Sequence, residues 1–183
     1  AVMGVSAPTT AKAIFVSAQN RHLVVLGPDS DLLRVKWSTS EDYTAFTSTE
    51  TNTAGSKLLD GGNELLMGVK TQKETLLFTD SVLWAMKFDG PPYTFGFDRI
   101  GATNGIRGPN AAKEVDGRVF WMGASDFWVY DGQISMLPCT VLPTVFDDID
   151  ADQSAMVYAG ANRPFNEVWW LYPSDGATEC DKY

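Results

Sequence analysis

The chain has 183 residues, 44% of them apolar, which is enough for a packed core and excludes disorder as its main state. Its 14 basic and 23 acidic residues give a net charge of −9. This charge disfavours a protein that grips nucleic acid, although it is compatible with an acidic wall past which DNA slides. No apolar run approaches the roughly 18 residues of a membrane span, so we expect no membrane insertion.

The cysteines indicate no disulfide framework, because Cys139 and Cys180 are only two and lie far apart in the sequence. Metal-ligand spacings and glycosylation sequons are also missing from the sequence, and we expect two reduced thiols, no metal and no cofactor. The last residue, Tyr183, comes just as a new strand is expected to begin after Asp181. We therefore expect the chain to be a piece of a longer polypeptide.

Residues 1–12 are rich in Ala, Ser, Thr and Pro, and we predict a linker there, followed by one partial β-propeller domain over 13–183. Short apolar runs separated by turn residues predict antiparallel strands in that domain. The predicted strands are 13–17, 22–26, 32–37, 64–71, 75–79, 83–88, 93–97, 111–115, 119–122, 127–130, 133–137, 155–160 and 167–172. Residues 38–55 and 98–110 are predicted to be loops or, for the first, a loop with a short helical turn.

One helix is predicted, over 138–152. An apolar stripe runs along it at helical spacing, and Pro143 suits its first turn. The stripe consists of Leu142, Val145, Phe146 and Ile149.

The acidic residues 147–152 resemble the opening of a calcium loop counted from Asp148. However, Gln153 stands where such a loop needs Gly, and Ala159 where it needs the bidentate Glu. We interpret these acids as the solvated face of the helix, with calcium binding as the lesser alternative.

An aromatic hairpin, RVFWMGASDFWVYD at 118–131, is the clearest local feature, and its pattern recurs. The predicted second strands HLVVLG, TLLFTD, RVFWMG and EVWWLY align at Leu23, Leu76, Val119 and Val168, at intervals of 53, 43 and 49 residues. Sheet units that recur every forty to fifty residues are typical of β-propeller blades.

A four-stranded blade must be covered on both faces by its neighbours, which explains why VFWM and VWWLY are nearly continuous apolar runs. A plain β-sandwich would show more alternation and no fixed period. We therefore predict an all-β, propeller-like fold of about three and a half four-stranded antiparallel blades with one short helix. Since a closed ring needs about four to eight blades, the rest of the ring is expected to come from elsewhere.

Catalytic signatures are lacking, because the sequence contains no GxGxxG, GxxxxGK, GxSxG or HExxH motif. His22 is the only histidine, and we interpret it as structural or surface-exposed rather than as a catalytic base. Paired carboxylates of a propeller hydrolase stay open as a third reading, since such pairs are recognised only by their separation in space. We predict no catalytic residues and a protein that is not an enzyme.

The aromatic residues divide by position. Trp121, Trp128, Trp169 and Trp170 lie in predicted strands and are mostly expected in the core. Other rings lie nearer to loops and are better candidates for contacts with a partner. These are Trp37, Tyr43, Phe46, Tyr93 and Phe95.

Four segments together resemble bacteriophage tail proteins of the nozzle and packaged-DNA-stabilisation family, which close the distal tail tube of short-tailed phages. The segments are QNRHL at 19–23, VKWSTSEDY at 35–43, LLFTDSVLW at 76–84 and FWMGASDFWVYDG at 120–132. The resemblance extends over residues 19 to about 172. The chain departs from the family in length, since it lacks the regions that build the central channel and the contacts to the tube above.

The resemblance implies a virion structural protein of the viral tail that forms part of the DNA exit channel. It implies a homo-oligomeric ring, usually hexameric, contacts with a tail adaptor or tube protein and a fibre or needle, and passage of genomic DNA without specific binding. Such a protein is assembled in the host cytoplasm and resides in the virion tail. The alternative function is a carbohydrate-binding β-propeller that recognises host surface glycans through exposed loop aromatics.

Overall fold

The computed structural model describes residues 7–183 and confirms the all-β, propeller-like prediction, with 43% strand and 7% helix. Its sheets are three four-stranded sheets and one two-stranded sheet, and every strand pairs antiparallel with its neighbours in sequence. The chain divides into two compact units, one ending at Ala102 and the other comprising Thr103–Tyr183. Residues 1–6 of the predicted linker lie outside the described residues.

The first unit contains two sheets. The first sheet consists of β1 (Ala13–Val16), β2 (Leu23–Leu26), β3 (Arg34–Trp37) and β4 (Gly55–Leu58). The second consists of β5 (Leu65–Lys70), β6 (Thr75–Thr79), β7 (Leu83–Gly90) and β8 (Thr94–Gly101).

An apolar cluster joins these two sheets, because one face of each contributes buried side chains to it. Val24, Leu26 and Trp37 of the first sheet meet Leu77 and Trp84 of the second. All five residues of β6 are buried, as expected for a middle strand covered on both faces. The first sheet therefore depends on the second for the burial of its core face.

The second unit contains the aromatic hairpin. Its four-stranded sheet consists of β9 (Ala112–Val115), β10 (Arg118–Met122), β11 (Phe127–Tyr130) and β12 (Ile134–Met136), and its two-stranded sheet of β13 (Tyr158–Asn162) and β14 (Glu167–Leu171). The helix α1 (Leu142–Asp148) lies between them in the sequence. Asp116 and Gly117 join β9 to β10 with positive φ angles of 51° and 82°, the backbone that two-residue hairpin turns favour.

The predicted period is correct, since β2, β6, β10 and β14 are each the second strand of their sheet. The prediction missed β4, a polar strand of sequence GSKL whose last three residues are exposed and which therefore carries no apolar signal. It also ended the fourth strand of the second sheet too early, because β8 continues through Asp98 to Gly101.

The predicted helix 138–152 was too long. It covers only Leu142–Asp148, with Pro143 in its first turn, and Ile149 takes an extended backbone at its end. Asp150 and Asp152 therefore lie beyond the helix, where the Asp150 side chain accepts a hydrogen bond from the Asp152 amide at 2.8 Å. The solvated helical face thus includes only Asp147 and Asp148.

Candidate interaction surfaces

The segments 19–23 and 35–43, both named in the family resemblance, contact each other in the first unit. The fully buried His22 places its Nδ1 2.8 Å from the Ser38 carbonyl oxygen. Ser40 donates a hydrogen bond to the Asn20 carbonyl at 2.6 Å, and Arg21 pairs with Glu41 at 3.3 Å. The two segments therefore form one hydrogen-bonded unit, which we call the His22 lock.

His22 has a structural role in this lock. Because Nδ1 faces a carbonyl oxygen, it carries the proton, and Nε2 is left as a buried atom without a hydrogen-bond partner in the described part of the chain. The ring packs edge-on against Phe95 at 5.1 Å between centroids. An enclosed ring of this kind has no access to a substrate, which agrees with the structural interpretation of His22.

The loop aromatics proposed as partner contacts divide into two groups. Trp37, Phe46 and Phe95 are buried, so the expectation that they face a partner is wrong. Trp37 donates a hydrogen bond to the Thr53 carbonyl at 2.9 Å and packs edge-on against Phe95. Only Tyr93, which is 77% exposed, and Tyr43 present rings to solvent.

Tyr93 stands beside a mostly polar groove of about 1050 Å³ between the 48–57 loop and the β7–β8 turn. The turn is held down by Thr94, whose hydroxyl donates to the Thr53 carbonyl at 3.2 Å. Thr94 has a φ of 62°, a conformation that is strained for a β-branched residue. An exposed ring next to hydroxyl, amide and carboxylate groups can bind a polar ligand with one apolar face.

The strand tryptophans are less uniformly buried than expected. Trp121 is fully buried, and Trp128 stacks on it with 6.4 Å between ring centroids. Trp170 donates to the Ala111 carbonyl at 2.9 Å and packs against Phe127. Trp169, however, is 48% exposed, so its assignment to the core is wrong.

The cause is the alternating exposure of β14, which contradicts the prediction that VWWLY is covered on both sides. Glu167, Trp169 and Leu171 share one face with Tyr158 of β13, and all four are exposed. The opposite side of the strand meets a groove of about 370 Å³ that reaches the helix α1 and contains Phe127, Val145 and Trp170. Sequence reasoning missed this surface because burial was inferred from the apolar run alone.

The predicted third strand of this fourth unit is reduced to one bridge. Tyr172 and Lys182 exchange both backbone hydrogen bonds, at 3.1 and 3.2 Å, and Tyr183 follows at 6.5 Å between ring centroids from Trp169. The Cys180 thiol donates to the Met156 carbonyl, and burial raises the pKa of this thiol. Neither Cys180 nor Cys139 is in a disulfide.

The perturbed carboxylates have structural partners. Hydrogen bonds from the side chain and then the backbone of Thr9 lower the pKa of Asp29, and those from Thr44 lower the pKa of Asp42 in the same way. Each carboxylate accepts from a hydroxyl at 2.6 or 2.7 Å in a turn. These carboxylates are stabilised in the ionised form and so are unsuited to act as general acids at neutral pH.

Within residues 7–183, no group of three or more His, Cys, Asp or Glu side chains is arranged to hold a metal ion. No helix in the same range is long and apolar enough to cross a membrane. No model of a known protein family matches the chain, and no curated protein matches its sequence.

Proposed function

We propose that the chain is a virion structural protein, a component of a bacteriophage tail nozzle that closes the distal tail tube and forms part of the DNA exit channel. The observation that supports this most is the His22 lock. Two of the four segments that resemble the nozzle family are joined there by hydrogen bonds, so residues such as His22, Ser38 and Ser40 stabilise the fold. Motif residues with structural roles are what a structural protein requires.

The charge of the chain supports the same proposal. A net charge of −9 gives a wall that repels the phosphates of DNA, so genomic DNA passes without being held. In this proposal the chain assembles in a ring, contacts a tail adaptor or tube protein and a fibre or needle, and acts without a cofactor or an enzymatic step.

The experiment is electron microscopy of purified phage particles that carry the gene, together with mass spectrometry of their proteins. The proposal expects the chain among the virion proteins and a symmetric ring at the tail tip, which antibody labelling identifies as this protein. Particles that lack the protein, or a protein that stays monomeric and unattached to tails, would contradict it.

A second candidate function, binding of host surface glycans, is favoured by the exposed Tyr93 ring beside its polar groove. On a glycan array, this function expects binding that Tyr93→Ala abolishes. Tyr43→Ala serves as the matched control because Tyr43 is also exposed but lies outside the groove. Equal loss in both variants, or no binding to any glycan, would remove this candidate.

A further inference from the structure

The outer edge of β14 carries unpaired backbone groups. At the bridge, Tyr172 directs its N–H and C=O away from β13 and toward Lys182. Alternate residues of a strand direct these groups to the same side, so Val168 and Trp170 also direct theirs to this edge. In the described part of the chain, the bonds of β14 to another strand are those to β13, on the other side. Four backbone groups are thus left available for pairing.

The position beside this edge is filled in the other sheets. There the second strand pairs with a third strand, which is β3, β7 or β11. Two of these third strands, β3 and β11, are only four residues long. The stretch of β14 from Glu167 to Trp170 offers the same length, so one short strand would complete the pattern.

The groove beside the edge selects apolar side chains. Trp170 and Val168 line it together with Leu137, Val141 and Val145, and its volume of about 370 Å³ holds a few side chains. Backbone donors and acceptors next to an apolar groove are the features by which proteins recognise an added β-strand. A lipid or other apolar small molecule would leave the backbone groups of β14 unpaired.

The charges around the groove specify the ends of the strand. Residues 103–183 contain 12 acidic and 5 basic side chains, and Asp147, Asp148 and Glu167 lie on the elements that border the groove. A second copy of the chain would bring the same acidic charge and be repelled. Lysine or arginine at the ends of the incoming segment is attracted instead.

We propose that the open edge of β14 binds an extended segment of another polypeptide, antiparallel to β14, with apolar side chains at alternate positions and basic residues at its ends. This interaction surface does not depend on the nozzle function.

The test uses the full chain and a nine-residue peptide in which valine and threonine alternate between terminal lysines. Hydrogen exchange should show slower exchange of the Val168 and Trp170 amides when the peptide is added. The Trp169 amide, already bonded toward β13, should change little. A peptide methylated on the backbone nitrogens of one edge should lose this effect.

Two variants test the two parts of the site. Val168→Pro removes an outward N–H without breaking a bond to β13, so the fold is kept and peptide affinity should fall at least about tenfold. Val141→Lys, on the opposite wall of the groove, tests it without changing β14. Leu58→Lys is the matched control because Val141 and Leu58 are both 53% exposed, and it should bind the peptide as the parent chain does.

The proposal is overturned if the peptide causes no protection of these amides at concentrations up to about 1 mM, where even weak strand addition would be seen. It is also overturned if the methylated peptide binds equally, which indicates nonspecific apolar adhesion. Concentration-dependent protection without any peptide would identify a second copy as the occupant and likewise overturn it.

Discussion

At the residue scale, His22 shows how a single buried polar side chain determines local structure. Its ring connects the β1–β2 turn to the Ser38 carbonyl and fills space against Phe95. Replacing it with alanine removes a buried hydrogen bond and leaves a cavity, so we expect His22→Ala to lower the free energy of unfolding by about 2–4 kcal/mol.

Urea denaturation followed by tryptophan fluorescence measures this change. Arg21→Ala is the control, since the exposed pair with Glu41 should contribute no more than about 1 kcal/mol. A loss in His22→Ala no larger than that in Arg21→Ala would show that the lock does not stabilise the fold.

Gly55 and Gly160 form a matched pair of strand glycines. A Cβ at Gly55 would lie 2.5 Å from the Trp37 indole, whereas a Cβ at Gly160 would meet nothing within 4 Å. We expect Gly55→Ala to cost about 1–3 kcal/mol through overpacking and Gly160→Ala to be neutral or slightly stabilising. Thermal unfolding of both variants compares them, and a similar Tm for both would contradict the prediction.

Asp29 provides a test of pH dependence. Its folded pKa lies below the ordinary 3.8 because Thr9 donates to the carboxylate, first through its hydroxyl and then through its amide. The stabilisation is therefore present above pH 3.8 and is lost as the pH falls through the lower folded pKa. In Thr9→Val, an NMR titration should place the Asp29 pKa closer to 3.8, and an unchanged pKa would exclude the hydroxyl as its main cause.

At the element scale, the β6–β7 turn depends on the buried hydroxyl of Thr79. Thr79 Oγ1 accepts from the Val82 amide at 2.7 Å and the Ser81 amide at 3.1 Å. Thr79→Val keeps the shape but leaves these donors without that partner, and we expect a loss of about 1–3 kcal/mol in unfolding free energy. Thr75→Val, at the other end of β6 and equally enclosed, is the control. Equal losses by urea denaturation would rule out the hydroxyl as the cause.

The sequence predicted the elements well where apolar residues and turn residues alternate sharply. The bounds of β6 and β11 are those predicted, and the position of the second strand in every sheet is confirmed. The sequence could not predict β4, because an exposed polar strand is defined by its pairing with β3. Periodicity also overestimated α1, because the apolar stripe continues to Ile149 after the helical backbone has ended.

The candidate surfaces were less predictable than the strands. Loop position suggested that Trp37 and Phe95 are exposed, yet the fold buries both against each other. Strand position suggested that Trp169 is buried, yet it lies on an uncovered sheet face. Exposure depends on what packs against a strand, and a single sequence does not contain that information.

At the scale of the whole molecule, the excess of acidic residues gives a prediction about DNA. With a net charge of −9, the chain should not retard double-stranded DNA in a gel or change its fluorescence anisotropy at 50–150 mM salt. The nozzle proposal needs such passage without retention. Binding that weakens linearly with the logarithm of salt concentration would reveal a basic contact surface and contradict the acidic-wall interpretation.

The strand order within each sheet has a consequence for folding. Because every sheet is built from strands that follow one another along the chain, its hydrogen bonds join residues that are close in sequence. Small loop-closure entropies favour fast formation of such sheets. During synthesis, each sheet can form as soon as its last strand has left the ribosome, while the next is still being translated. The order of synthesis is then also the order of folding.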